Sequence, residues 1–510
     1  HFRPNAQTEI KAQTRVTGDL DGFWGAGIGF TFRELYVKGI IKNVVKYQVG
    51  DLDLKMTPFT IYNSQADLRS YAISPLSIYR DINDYEMFSR ENTWRQQGFK
   101  TAFGLNIGTK YSLDVEAHLT KDRQTDFFFV PDRLMSGGRA VLNRSGLGRI
   151  GYNVNGFWEI EETSQFAEGT RATTVHTLNT ELMPLDNDLV FYGEAGVSYQ
   201  GYNEIDDAPE RELAPVFNVG VRKPKKDEQL GWYAEIINVS DDFRSPGAQS
   251  RRFQPNALPT QLPYYTNQEL QRPVSIFDLI QDPAVYQRSI QYDLSGFNPI
   301  YSNALPFGKA TPNRQGLMAG IAQVKDSTWI SQVGVDAAYL TEVTGEGINE
   351  FRNFLMLDAY IQADLSQGTN WKNKTLIDLH AKIEQTSRNG LDADISSLQG
   401  IGEVDLSSTF IEASISQELS DDFYIDLGTI LFSASGNEFI TERDGFGQIS
   451  DYRAMEVDVA ENTVFAGIRF LFTENSTFQM QFRSSQVENK MQEQNDYQWN
   501  QLTILYNLFF

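Results

Sequence analysis

The sequence predicts an all-β chain built from antiparallel, up-and-down strands. Three observations carry this prediction. Apolar and polar residues alternate with a period of two in one segment after another, which is the pattern of a strand whose two faces meet different surroundings. Short turns alternate with long polar connections along the last two thirds of the chain. No run of about 18 apolar residues occurs, and a helical membrane span is therefore excluded.

Composition limits the classes of function. The chain has 510 residues, a net charge of -23 and 13% aromatic residues. Such an acidic chain lacks the basic surface that nucleic acid requires, so we expect no nucleic-acid partner. The absence of cysteine removes disulfides, thiolate metal sites and cysteine nucleophiles. His1 is typical of a processed terminus, from which we expect a signal peptide to have been removed.

The first hundred residues contain strand-like runs whose ends are poorly defined, at 8–16, 36–42 and 45–51, with a glycine- and aromatic-rich run at 22–30. Residues 63–94 follow, rich in Tyr, Asp, Arg and Ser and without a period. We expect a loop of about 30 residues there, which is long enough to require a functional or structural reason.

From Phe99 onward the alternation becomes regular. The apolar set is Phe103, Leu105, Ile107, Leu113, Val115, Ala117 and Leu119, with a turn at 108–110. The residues between the last four are all polar, which is too sharp a contrast for a strand packed between two soluble layers. Residues 121–144 are expected to form another long loop, and 145–163 to form one or two strands.

The remaining chain is predicted to form hairpins with a regular asymmetry. The short turns are 184–187, 224–228, 325–328, 366–374, 420–422 and 473–476. The long connections are 201–213, 240–314, 342–351, 387–406, 434–461 and 487–496. Every short turn is followed by a long connection, which is typical of bacterial barrels with short periplasmic turns and long extracellular loops.

The last stretch of the chain carries the most specific signal. Counting back from the terminus in steps of two gives an apolar face made of Phe510, Leu508, Tyr506, Ile504 and Leu502. This strand resembles the C-terminal strand of Gram-negative outer-membrane β-barrel proteins. In that class, the positions matched by Ile504, Tyr506, Leu508 and Phe510 are read by the barrel-assembly machinery. The acidic loops, the many Tyr and Asn residues and the lack of cysteine are similar to outer-membrane proteins of Bacteroidota, although no motif assigns a specific family.

The resemblance implies one architecture for residues 1–510. It is a single transmembrane antiparallel up-and-down β-barrel of about 18 strands, within a range of 16 to 20, in the cell outer membrane. Outer-membrane lipid, lipopolysaccharide and the barrel-assembly machinery are the implied partners. Barrels of this size enclose an aqueous lumen unless something fills it.

The alternation also predicts which side chains face that lumen. The apolar sets would meet lipid and the polar sets a wet interior. The predicted lumen-lining residues are Asp114, Glu116, His118, Glu194, Asp336, Asp358, Asp364, Asp378, His380, Lys382, Glu384, Asp426, Arg469 and Arg483. Carboxylates outnumber cations in this set, and we expect an open pore to favour cations because a low-dielectric wall concentrates their field.

Residues 240–314 form the most informative predicted loop. They combine nine prolines with ten tyrosines and phenylalanines. A disordered linker would be poor in aromatics, so this insertion is expected to be folded, with a short helix near 274–280. It either folds inward and narrows the pore, or forms a lid or a docking surface for a partner.

Two classes of function fit these patterns. The first is a porin-like channel for small solutes, constricted or capped by residues 240–314. The second is an accessory barrel of an outer-membrane complex for protein secretion or outer-membrane assembly, which binds envelope proteins through loops 63–94 and 240–314. No nucleophile, phosphate-loop or metalloprotease motif occurs. No catalytic, cofactor or metal site is therefore predicted, and the chain is not expected to be an enzyme.

Overall fold

The structure, a computed structural model, is built around one antiparallel sheet of 21 strands, each paired with its neighbours in the sequence. The residues that the structure describes are 2–17, 29–64, 71–86, 92–165, 169–184, 188–203, 205, 212–224, 230–251, 274–281, 289–325, 328–369, 371–392, 402–443, 449–473, 476–492 and 496–508. Within these ranges, no helix has the length and apolar character needed to cross a membrane.

The strands differ widely in length. They are β1 (Phe2–Asn5), β2 (Thr8–Thr17), β3 (Gly29–Ile41), β4 (Val45–Leu54), β5 (Trp94–Ile107), β6 (Tyr111–Arg123), β7 (Asp132–Arg144), β8 (Gly148–Ile160), β9 (Thr170–Leu182), β10 (Val190–Asn203), β11 (Ala214–Lys223), β12 (Gly231–Val239), β13 (Pro306–Lys309), β14 (Arg314–Val324), β15 (Ile330–Thr341), β16 (Asn353–Asp364), β17 (Thr375–Arg388), β18 (Val404–Ser420), β19 (Phe423–Arg443), β20 (Ile449–Thr473), β21 (Ser476–Asn489) and β22 (Tyr497–Leu508). The helices are α1 (Ser74–Glu86), α2 (Pro246–Gln249), α3 (Ile276–Gln281) and α4 (Leu365–Thr369), with a 3₁₀ turn at Glu161–Thr163. Only β13 lies outside the sheet among the described strands, and β12 therefore pairs with β14.

The predicted alternation of short and long connections is confirmed. At one end of the strands the connections are short, as between β18 and β19 and between β20 and β21. At the other end most are longer, with the exception of the five residues 444–448 between β19 and β20. Two of the long connections are extreme: residues 55–93 join β4 to β5, and residues 240–313 join β12 to β14. The expected short helix near 274–280 is α3. These two connections are called the first and second inserted segments below.

Two predicted loops were wrong, and the sheet has 21 strands where about 18 were expected. Residues 121–144 contain β7, whose centre at 136–139 is Ser-Gly-Gly-Arg and so shows no apolar alternation. Residues 434–461 continue β19 and β20, which stay paired as far as Arg443 and Ile449. The polar and glycine-containing runs 136–139 and 435–438 interrupt the alternation in β7 and β19, whereas Met455, Val457 and Val459 of β20 do alternate with their neighbours and were wrongly assigned to a loop.

The two faces of the sheet have opposite character. Apolar side chains on one face are exposed: Leu355 and Leu357 keep 47% and 41% of their surface, and Ile504 keeps 61%. The opposite face is called the inner face, because its side chains contact the inserted segments. Towards the short connections its residues are mainly polar, whereas towards the long connections many are apolar.

The hydrophobic core lies between the inner face and the two inserted segments. In its largest cluster, Phe59 and Phe243 from the segments pack with apolar side chains of six strands. Those strand residues are Val175, Val216, Ile237, Val239, Met318, Ala338, Leu340 and Phe354. The described parts of the inserted segments therefore pack as part of the protein body.

Candidate functional site

The first inserted segment contacts the inner face through Tyr71 and the start of α1. The Tyr71 hydroxyl donates to an Asp378 carboxylate oxygen at 2.5 Å, and the Ser74 backbone N–H donates to the other at 3.2 Å. The Tyr71 ring stacks on Tyr360 with centroids 4.5 Å apart. Burial, followed by the Asp378 charge, raises the pKa of Tyr71, so the hydroxyl keeps its proton and remains a donor. Together these contacts attach the segment to β16 and β17.

Helix α1 also contacts strands from both ends of the sheet. Near its start, the Pro75 carbonyl accepts from Gln479 Nε2 at 3.0 Å, and Arg483 lies 4.2 Å from the Tyr79 ring centroid. At its end, the Tyr85 ring lies 3.7 Å from the Arg33 guanidinium carbon. One short helix thus joins β21 to β3.

The second inserted segment bonds to carboxylates of β17, β19 and β20. The backbone N–H of Asn303 donates to Glu384 at 2.7 Å, and its side-chain amide donates to Glu438 at 2.8 Å. The N–H of Ile276 and the hydroxyl of Tyr301 donate to Glu461 at 2.7 and 3.0 Å. Carboxylates accepting backbone donors satisfy groups that a buried loop would otherwise leave unpaired.

An ionic cluster closes over this segment at the long-connection end. Arg352 contacts Glu342 at 2.6 Å, Glu438 at 3.0 Å and Glu346 at 3.3 Å, and its side chain is 5% exposed. Although burial disfavours its charge, Glu438 and Glu342 hold the pKa of Arg352 above the ordinary value. Because Glu438 also binds Asn303, the cluster couples the loop 342–352 to the second inserted segment.

The structure separates the predicted lumen-lining residues into two groups. The buried residues are His118, Glu194, Asp358, Asp364, Asp378, His380, Glu384, Asp426, Arg469 and Arg483. The residues that retain solvent contact are Asp114, Glu116, Asp336 and Lys382. Ten of the fourteen residues in the predicted set are thus buried.

Several buried members of the set pair with each other or with neighbours on adjacent strands. His380 lies between Asp358 at 2.9 Å and Glu412 at 3.0 Å. Arg469 binds Asp426 through both carboxylate oxygens, at 3.1 and 3.2 Å. These contacts give three carboxylates of the inner face, Asp358, Glu412 and Asp426, a basic partner on an adjacent strand.

A second part of the inner face stays open to solvent. Near the short connections of β5–β11, Glu116 pairs with Lys100 and Arg139, and Glu181 pairs with Arg149 and Arg222. All of these are contacts between strands, and the arginines are 41–50% exposed. We call this the open part, and the region bonded to the inserted segments the covered part.

A cavity of about 430 Å³ opens between the second inserted segment and the loop 342–352. Its charged lining includes Arg244, Arg314, Arg352 and Arg443 together with Glu342 and Glu346. Burial raises the pKa of Glu342, while Arg352 opposes that shift. The cavity therefore presents a mixed-charge wall to a solute at the long-connection end.

The last strand is formed as the sequence predicts, and Ile504 and Tyr506 project from it with 61% and 59% exposure. Phe510 and the side chain of Leu508 lie outside the described residues, as do parts of the loops 63–94 and 240–314. His118, His176 and His380 lie in strands β6, β9 and β17, and the described residues contain no metal-binding group of three or more His, Asp or Glu side chains.

Sequence reasoning missed the residues that fix the inserted segments. Tyr71, Asn303 and Arg352 bond to partners 307, 135 and 86 positions away. The richness in proline and aromatics indicated that residues 240–314 fold, but no local pattern encodes partners so distant in sequence.

Comparison with known proteins adds no relative. No protein family model matches the chain, and no curated protein sequence is detectably similar to it.

Proposed function

We propose that the sheet closes on itself as a single outer-membrane β-barrel, with β22 beside β2. Helix α1 supports this closure, because its Tyr79 contacts β21 and its Tyr85 contacts β3. These two tyrosines are six helical residues apart, which is a rise of only about 9 Å along the helix. In a flat sheet those two strands would be about 80 Å apart at the usual strand spacing. The parity also fits: without the short β1, 20 strands remain, so β2 and β22 would run antiparallel.

The exposed apolar face supports a membrane location. Its side chains alternate with inner-face residues along nearly every strand, and include Leu105, Leu119, Phe191, Val219, Ile236, Leu317, Leu355, Leu379, Leu427 and Phe482. A water-soluble protein rarely exposes so large an apolar surface, whereas a transmembrane barrel requires it. Ile504 and Tyr506 would belong to the signal that the barrel-assembly machinery reads, and lipid and lipopolysaccharide would surround the wall.

Within this barrel we propose a channel for small solutes that its own inserted segments hold closed. The observation that carries the proposal is the division of the inner face. Its open part offers solvent access from the short-connection end, and its covered part blocks the remaining path. The bonds that block the path are hydrogen bonds and ion pairs around Asn303 and Arg352, which a gating movement can break and remake.

A reversible cross-link tests this gate. The chain has no cysteine, so N303C/T386C introduces one pair, at side chains whose polar atoms lie 2.8 Å apart. A short bis-methanethiosulfonate, which forms a mixed disulfide with each cysteine and releases methanesulfinate, should abolish the openings expected in planar bilayers, and reduction should restore them. The matched control is S112C/N143C, which joins β6 to β7 in the open part and should leave conductance unchanged. Unaltered openings in cross-linked N303C/T386C would show that this segment is not the gate.

An accessory role in an envelope complex is the second candidate, favoured by the loop between β6 and β7. Phe127, Phe128 and Phe129 are consecutive and 67%, 55% and 69% exposed. The described aromatics Phe243, Phe277 and Phe307 of the second inserted segment are buried instead. A docking role would therefore fall on the phenylalanine loop, since exposed aromatics make effective hot spots. Purification in mild detergent separates the candidates: a stable partner lost in F127S/F128S/F129S, with no conductance, favours the accessory role.

A further inference from the structure

The cavity at the long-connection end has the size of a ligand pocket. Its volume is about 430 Å³, and protein pockets that hold small organic ligands measure about 300–1,000 Å³. The second inserted segment, the loop 342–352 and the end of β19 contribute most of its lining. A disaccharide, a short peptide and a nucleoside are all small enough to occupy it.

The charges on the wall of this cavity nearly cancel. Arg352 binds Glu342, Glu346 and Glu438, and Arg443 lies 3.5 Å from Glu346. Among the described residues, four arginines and five carboxylates line the cavity: Arg244, Arg314, Arg352 and Arg443 with Asp241, Asp293, Glu342, Glu346 and Glu438. Because cations and anions are interspersed in similar number, the wall attracts neither sign of ion strongly and favours a neutral ligand.

The same wall is dense in hydrogen-bonding groups of both kinds. Its carboxylates accept, its arginines donate, and the side chains of Gln200 and Thr441 carry a donor and an acceptor each. A sugar hydroxyl both donates and accepts, so a ligand with a hydroxyl on most of its carbons matches such a mixed wall. A peptide or a nucleoside offers fewer of these groups.

Two partly exposed phenylalanines add flat apolar faces to this polar wall. Phe297 comes from the second inserted segment and Phe439 from β19, and both side chains are half-buried. The Phe297 ring rests edge to face on Phe307, with centroids 5.8 Å apart. A pyranose ring has C–H groups on one face and hydroxyls around its edge, so it can pack on such a ring while its hydroxyls bond to the polar wall.

Ser295 gives an independent indication that a polar ligand atom enters the cavity. The residue is 4% exposed, and its side chain lines the cavity. Its Oγ has no hydrogen-bond partner among the described residues. Buried hydroxyls are normally bonded, and a hydroxyl of the ligand would supply the missing partner.

We propose that this cavity binds a neutral saccharide of about two sugar rings, with one ring face against Phe297 and a hydroxyl bonded to Ser295. The matched charges disfavour an ionic sugar, and the phenylalanines favour a pyranose over an open-chain polyol. The inference goes beyond the proposed channel, because binding requires neither a membrane nor an open path.

Saturation-transfer difference NMR tests this site on the full chain, in a detergent whose head group contains no sugar. The probes are maltose, cellobiose, lactose and trehalose, and at least one should give a saturable signal with the wild type. Q200W should remove that signal, because its indole fills the cavity from β10. Y199W, at the neighbouring and 47% exposed position of the same strand, is the matched control and should leave the signal unchanged.

Two smaller substitutions test the proposed contacts with the disaccharide that binds best. S295A should weaken the affinity by about fivefold, the loss of one hydrogen bond. It should not lower the urea midpoint, because this hydroxyl has no partner among the described residues. F297L keeps an apolar side chain without the flat ring and should weaken the affinity by about threefold. F128L, at an exposed phenylalanine outside the cavity, should change nothing.

Four results would overturn the proposal: no saturable signal from any of the disaccharides, equal signals in wild type and Q200W, tighter binding of sorbitol or zwitterionic glycylglutamine than of every disaccharide, or wild-type affinity in both S295A and F297L. Heat-modifiable migration in gels confirms that each variant is folded. If Q200W does not fold, T441W fills the same cavity from β19. Because binding is measured without a bilayer, failure of the channel experiment leaves this result unaffected, and the reverse also holds.

Discussion

The covered and open parts of the inner face contain the same kinds of residue in different roles. In the covered part, carboxylates such as Asp378 and Glu384 accept from backbone and hydroxyl donors of the inserted segments. In the open part, Glu116 and Glu181 pair with exposed lysine and arginine on neighbouring strands. Strand alternation selects a polar residue for both parts, and the inserted segments decide which of these residues is structural.

This difference indicates which part of the inner face contributes more to the free energy of unfolding. A buried carboxylate that loses its donors keeps a desolvated charge, whereas an exposed one is resolvated by water. Substitutions in the covered part should therefore lower the free energy of unfolding strongly. They should also change whether solutes have a path through the barrel. Substitutions in the open part should change the free energy of unfolding only slightly. They should instead change which ions enter the barrel.

The largest expected effect is at Arg352. R352Q leaves Glu342, Glu438 and Glu346 without their common cation, and breaking a buried ion pair in this way costs about 3–5 kcal/mol. Urea unfolding followed by tryptophan fluorescence measures the loss. R453Q is the control, because its ion pair is 3.7 Å long and exposed. Equal stability of the two variants would show that the cluster does not hold the loop 342–352.

A matched pair of aspartates compares the two parts directly. D378N removes charged acceptors used by Tyr71, Ser74, Gln362 and Ser414, with an expected loss of about 2–3 kcal/mol. D114N changes an exposed aspartate bonded to Asn143 and should stay within about 0.5 kcal/mol of wild type. The denaturant midpoints of the two variants measure this difference in stability. Similar midpoints would show that the covered part contributes no more to stability than the open part.

Ion selectivity should follow the open part. In planar bilayers under a salt gradient, D114N/E116Q should lower the cation-to-anion permeability ratio by about twofold, because two accessible carboxylates lose their charge. D426N should leave the ratio unchanged, because Asp426 is buried against Arg469. A reversal potential showing anion preference in the wild type would contradict the predicted cation preference.

The smallest effect lies outside both parts, in the phenylalanine loop. Asp126 Oδ1 accepts the N–H groups of Val130, Phe128 and Phe129 at 2.8–2.9 Å, and these bonds lower the pKa of Asp126. A lowered pKa stabilises the loop above the unfolded value of about 4, and the contribution disappears as pH falls through the folded value. The hydrogen-exchange protection factors of the Phe128, Phe129 and Val130 amides should therefore fall as pH drops through the folded pKa of Asp126. D126A should show no such change.

The sequence predicts those features of the fold that repeat along the chain. Leu357, Ala359 and Ile361 alternate with Asp358, Tyr360 and Gln362 because each strand has two different faces. The short turns follow from breaks in that pattern. Strand β7 and the distal half of β19 escaped prediction for the converse reason. The polar and glycine-containing runs 136–139 and 435–438 interrupt the alternation in β7 and β19, and pairing with the neighbouring strand maintains the extended backbone.

The candidate site was predictable only in its residue types. His380, Asp378 and Glu384 were recognised as inner-face positions, but their burial depends on where the inserted segments fold. That depends in turn on contacts such as Tyr71 with Asp378, which are separated by 307 positions. The described parts of the second inserted segment pack against the inner face, in keeping with a composition rich in aromatic residues, and the contacts that position them are made with partners distant in sequence.

The length of the β19–β20 hairpin has a geometric consequence. With 25 residues at about 3.3 Å each, β20 extends for roughly 80 Å, whereas a bilayer's hydrocarbon layer is only about 30 Å thick. If the sheet spans a membrane, more than half of this hairpin must extend beyond the hydrocarbon layer at the long-connection end. A molecule that approached from the long-connection end would contact this extension of β19 and β20 before it reached the inner face of the sheet.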